Sequence, residues 1–117
     1  MTDPSFTIQS HFAEKSPVVQ AIYEKLMAET RSFGAVTEEP KKTSIHLVNK
    51  TAFAGVATRK TALLLNIKSA APIDSPRFPK SEKLSSNRYH QEARLTDPAE
   101  VDTELIGWLR QAYELSA

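Results

Sequence analysis

The sequence predicts an α+β domain. It is expected to be a two-layer sandwich in which an antiparallel sheet of about four strands carries an N-terminal and a C-terminal helix on one face. Three observations predict it. Four apolar-rich runs, at 43–48, 51–57, 62–67 and 88–95, alternate or nearly alternate in the manner of half-buried strands. The stretches 17–33 and 101–113 repeat their apolar residues at spacings of three and four, so each makes a helix with one apolar stripe. The links between the first three runs are too short for parallel crossovers, so those strands run antiparallel. Both stripes need a surface on which to be buried. Packing side by side on one sheet face serves both and leaves the opposite face open.

Taken in order, residues 1–15 read as an arm and 16–117 as a single domain. In the arm, Phe6, Ile8 and Phe12 are placed to dock, while Asp3-Pro4 and the polar residues between them oppose a strong regular element. Ser16 can cap a helix, because its hydroxyl accepts from an otherwise orphan N–H, and Pro17 suits the first helical position. Val19, Ile22, Tyr23, Leu26, Thr30 and Phe33 form the stripe, and Gly34 stops the helix. Residues 35–42 connect, with a short edge strand at 36–38. Run one places Thr43, Ile45 and Leu47 on one face and Ser44, His46 and Val48 on the other. Asn49-Lys50 turns the chain, and Gly55 in run two marks a bulge or a close backbone approach. Thr58-Arg59-Lys60-Thr61 reads as a four-residue loop. Run three sets Leu63, Leu65 and Ile67 against Ala62, Leu64 and Asn66. Residues 68–87, with Pro72, Pro76 and Pro79, read as one long loop, a length that in compact domains accompanies function or mobility. Run four sets Tyr89, Gln91, Ala93 and Leu95 against Arg88, His90, Glu92 and Arg94. The last helix opens at Asp97-Pro98, with Glu100 completing a capping box, or later at Asp102. Its stripe is Val101, Leu105, Trp108, Leu109 and Ala112, and Gly107 inside it asks for a close packing contact.

The totals narrow the function classes. A chain of 117 residues that is 40% hydrophobic and 25% charged has material for one core. There is no cysteine, which removes disulfides, thiolate metal sites and thiol nucleophiles. No run approaches the roughly 20 apolar residues of a membrane span. The N-terminus lacks the basic-then-apolar order of a signal peptide, so the expected location is cytoplasmic and no membrane partner is expected. The net charge of +1 conceals a division. Residues 41–94 hold 11 Lys or Arg and 3 Asp or Glu, a net +8, and the remainder holds 4 and 11, a net −7. A basic sheet between acidic helices favours an anionic partner, association between layers or copies, or simply soluble edges.

The candidate ligand-binding constellation is Lys42, His46, Arg59, Lys60, Arg77, Arg88 and His90. Guanidinium offers a fork of donors to phosphate or carboxylate, and imidazole suits proton transfer near neutral pH. If runs one and four are neighbours, His46, His90 and Arg88 converge on the open face; otherwise these are separated surface groups. No spacing resembles a metal site or a nucleophile–base pair, so no catalytic residue, metal or cofactor is assigned. Val48, Val56 and Leu64 form a candidate apolar interface on the open face, through which a homodimer would pack sheet to sheet. The leading reading is a non-catalytic binding or interaction module for an anionic small molecule or partner. The alternatives are a small acid–base enzyme using His46 or His90, and an accessory domain for single-stranded nucleic acid. In the latter, Phe53 and Tyr89 are the rings available for stacking, with Tyr89 phased toward the helices.

One further reading rests on short segments in order: His11-Phe12, Ser16-Pro17, 42–46 with His46, Phe53-Ala54-Gly55-Val56, Pro76-Arg77, Ser85 with Arg88-Tyr89-His90, Asp102 with Glu104-Leu105, and Trp108-Leu109 with Ala112-Tyr113. With them the chain resembles the bacterial family of domain of unknown function 5655 from about residue 12 to 115. The resemblance implies an α+β fold in a cytoplasmic setting, alone or fused to other bacterial domains, some of them nuclease-like. It assigns no activity.

Overall fold

The computed structural model describes residues 7–73 and 75–116. Its elements are α1 (Pro17–Thr30), β1 (Thr37–Pro40), β2 (Ile45–Val48), β3 (Ala52–Thr58), β4 (Leu63–Ser69), β5 (Lys80–Ser85), β6 (Arg88–Leu95) and α2 (Thr103–Leu115), with 3-10 turns at Gln9–His11 and Pro98–Glu100. The sheet is antiparallel throughout and has six strands, not about four, in the order β1-β2-β3-β4-β6-β5. The first addition, β1, is the expected short edge strand displaced to Thr37–Pro40. The second, β5, lies inside the expected long loop. All six of its residues are exposed, so it has no apolar alternation to reveal it, and its backbone pairing with β6 holds it in place.

α1 ends at Thr30 rather than Phe33. The hydroxyls of Thr30 and Ser32 donate to the carbonyls of Met27 (3.2 Å) and Glu29 (2.6 Å), tying down the last turn. Ser16 caps the other end by accepting from Val18 N–H, with Pro17 at the first position. Asp97 and Glu100 do form a capping box, but it closes only a 3-10 turn; α2 starts at Thr103 under an Asp102 cap.

Alternation fixes the two faces of the sheet. Ile45 and Leu47, Ala54 and Val56, Leu63, Leu65 and Ile67, and Gln91, Ala93 and Leu95 are buried and stand in register across β2, β3, β4 and β6. The apolar ones join one core cluster with Val19, Ile22, Leu26, Leu105 and Leu109 of the helices. α1 and α2 touch each other and both touch β4, so both stripes are buried on this face. Val56, expected outward, is therefore fully buried beneath the helices. The reason is a bulge. Leu47 pairs with Ala54 but Val48 pairs with Ala52, so Phe53 is the extra residue and the phase of β3 shifts. Phe53 turns inward and meets the Tyr113 ring edge-on at 5.3 Å. The one buried side-chain atom without a partner among the described residues is Gln91 Oε1; Gln91 Nε2 donates to Ser69 Oγ at 3.1 Å.

The described part of the arm packs on the domain. His11 is buried, its Nε2 lies 2.8 Å from the Lys41 carbonyl, and Phe12 meets Tyr23 at 5.1 Å. Phe6 and Asp3-Pro4 lie outside the described residues.

Candidate functional site

The sheet face turned away from the core cluster is built by the alternate residues of the same strands. One row crosses every strand: Glu39, His46, Gly55, Asn66, Glu92 and Lys80 stand opposite one another in turn. A second row sets Lys68 opposite His90 and His90 opposite Glu82. Between the rows lies a concavity of about 210 Å³ lined by His46, Gly55, Leu64, Asn66, Lys68, His90 and Glu92, among others. Gly55 opens the floor. A Cβ there meets only Asn66 Cβ, at 3.9 Å, and the flanking Ala54 and Val56 point to the core.

β2 and β6 are not neighbours, because β3 and β4 lie between them. At ordinary strand spacing, with a two-residue stagger, His46 and His90 are roughly 15 Å apart at the backbone. They form opposite walls of one groove and do not meet at one atom. The other basic candidates scatter. Lys42, Arg59 and Lys60 are exposed on the β1–β2 and β3–β4 connections. Arg88 opens β6 in phase with His90, and its guanidinium donates to the Asn87 carbonyl at 2.9 Å.

Arg77 lies outside the groove. It donates to Asp102 Oδ1 (2.8 Å), Glu104 Oε1 (3.1 Å) and the Glu100 carbonyl (2.6 Å), pinning the β4–β5 connection to the start of α2. Burial works against its charge, but these carboxylate hydrogen bonds prevail and strengthen its hold on the proton.

The lining residues that sequence reasoning passes over are Asn66, Lys68 and Glu92. Asn66 and Glu92 are outward in phase on their runs, and Lys68 continues the phase of Asn66 beyond the expected end of its strand. Lys68 is half-buried, and its Nζ donates to Thr51 Oγ1 at 3.3 Å and Ser116 Oγ at 3.1 Å. Burial and then Arg88 weaken its hold on the proton. Glu92 faces Lys80 Nζ at 3.5 Å. The groove is thus mixed in charge, with Lys68 at one end, Glu92 in the other row, and Glu82 beyond His90 in the row of Lys68 itself. Leu64 lines the groove, and Val48 is half-buried beside the bulge. Phe53 offers no stacking surface on this face, since its ring is spent on Tyr113. No group of three or more His, Asp or Glu among the described residues can hold a metal ion. No helix among them is long and apolar enough to cross a membrane.

Fold and groove together define a small α+β domain whose sheet bears a concave face, largely apolar with a few polar and charged side chains. Residues 8–116 match the family model described as Domain of unknown function (DUF5655), and the chain belongs to that family. No curated protein and no solved structure matches it.

Proposed function

We propose that the chain is a non-catalytic binding module whose groove-bearing sheet face receives a small anionic ligand or an acidic group of a partner. The observation that carries this reading is the groove itself. A sheet face without a helical cover among the described residues holds a concavity floored by glycine and lined by two imidazoles, an amide, an ammonium group and the Glu92 carboxylate, which Lys80 faces from the neighbouring strand. Pockets of this kind, part apolar with a few convergent polar groups, are the usual form of small-ligand sites. The wide separation of His46 and His90 keeps these two imidazoles from acting as acid and base on one reacting atom, which favours binding over turnover. His46 and His90 are the groove walls in this reading. Arg88 stands at the rim, while Lys42, Arg59 and Lys60 contribute only to the surrounding field.

Thermal denaturation against a panel of small carboxylates and phosphates tests the reading, with Gly55→Val as the blocked form. Val suits a strand, and its side chain fills the groove rather than the core. At least one compound is expected to raise the melting temperature of the wild type and leave Gly55→Val unmoved. Equal responses in both proteins, or none in either, sink the proposal. Mass that rises with concentration and is reduced by Leu64→Lys assigns the face to a second copy of the chain instead.

A further inference from the structure

Lys68 is an odd residue to find half-buried near the end of an inner strand. Its ammonium has three donors. Two are used, and both go to neutral hydroxyls, those of Thr51 and Ser116. Ser116 is itself buried and fixed, because its hydroxyl donates to the Ala52 carbonyl at 3.4 Å while its own carbonyl accepts from Lys50 and Thr51 N–H. Among the described residues no carboxylate stands within ion-pair distance of Lys68, and the like charge of Arg88 acts on it. His90 stands directly opposite on β6. Hydroxyls orient a cation without neutralising it, and a second cation beside it adds repulsion. Such an arrangement costs stability in the empty protein and is relieved when an anion arrives. Burial first, and Arg88 second, lower the proton affinity of Lys68.

Resting on the groove reading, the geometry points to an oxyanion subsite at this end of the groove: Lys68 takes the phosphate or carboxylate head of a small ligand, with His90 and Arg88 as flanking donors, while the ligand's flat body lies over Gly55. The spacing fits. Gly55 pairs with Asn66, two residues from Lys68 on the adjacent strand. That puts head and floor roughly 8 Å apart at the backbone, the scale of one ring plus one acid group. Asn66 and Glu92 then edge the body and supply its polar contacts.

The test is an amide-resolved NMR titration of the full chain with phenyl phosphate and, separately, inorganic phosphate. Saturable shifts are expected at Thr51, Lys68 and His90 with both probes, and at Gly55 with phenyl phosphate alone. Lys68→Met should weaken both probes at least tenfold and melt no lower than the wild type, because it removes a half-buried ammonium that has no carboxylate partner among the described residues. Gly55→Val should abolish the preference for phenyl phosphate and leave inorganic phosphate bound. Unchanged affinity in Lys68→Met, with phenyl phosphate lost in Gly55→Val, overturns the subsite and keeps the groove. Weakening in Lys68→Met with no effect of Gly55→Val keeps the anion contact and overturns the groove reading. No saturable shift with either probe overturns both.

Discussion

Two glycines show how much one missing side chain can mean. Gly34 follows α1 at φ +150, and a Cβ there would sit 2.5 Å from Tyr113 Oη. That hydroxyl is not free to retreat, since it donates to the Ala35 carbonyl at 3.0 Å while its ring packs on Phe33 and Phe53. Gly34→Ala is therefore expected to destabilise the fold by about 1–3 kcal/mol, seen as a lower urea midpoint. Gly107 has the opposite character. It is exposed within α2, and nothing lies within 4 Å of the added Cβ. The packing contact its sequence position suggests is absent, so Gly107→Ala should stabilise by up to about 1 kcal/mol. A destabilised Gly107→Ala would contradict the open environment. The sequence shows both as helix-associated glycines, and only the structure separates the required one from the tolerated one.

At the scale of elements, end signals proved easy to read and their range hard. Asp97 and Asp102 are both competent caps five residues apart, and the chain uses both. The second begins the long helix because Val101, which closes the 3-10 turn, is drawn into the core just before it. Asp102 also meets Arg77 at 2.8 Å. That hydrogen bond first, and the Leu105 N–H second, hold its carboxyl below the ordinary carboxylate value. A depressed carboxylate stabilises the fold above its unfolded pKa and loses that contribution as pH falls through the folded one. Asp102→Ala should thus cost about 1 kcal/mol near neutrality, largely as the lost cap. Its deficit against the wild type should shrink as denaturation is repeated below pH ~4, toward the lowered folded value. A deficit that stays constant with pH would show that the charge takes no part. β5 marks the limit of local reading. Its Lys, Ser and Glu residues and the single exposed Leu84 carry no strand phase, and pairing with the backbone of β6, beside the Lys80–Glu92 ion pair, makes it a strand.

At the scale of the whole molecule, the decisive matter is which way each strand faces. Val56 and Leu64 are both apolar candidates for the open side, yet the Phe53 bulge sends Val56 into the core and leaves Leu64 in the groove. Val56→Ala is expected to cost about 2 kcal/mol through lost burial and the cavity left behind. Leu64→Lys should stay within about 1 kcal/mol of the wild type, as substitutions away from the core do. Similar losses in both would mean that the two faces are misassigned. The charge division read from the sequence also changes meaning here. Most of the basic residues stand on connections, edges and rims, and inside the groove only Lys68 and Glu92 carry formal charge.

Periodicity alone determined the α+β class, both helices, the four principal strands and the inward residues of β2, β4 and β6, because burial on one face writes itself into the spacing of apolar side chains. The tertiary structure decided what that spacing cannot carry. It decided the strand order that parts His46 from His90, the pairing that makes β5, the one-residue shift at Phe53, and the meeting of Lys68 with Arg88, Thr51 and Ser116. Each depends on backbone hydrogen bonds or contacts between distant segments, whose partners leave no mark on the local pattern.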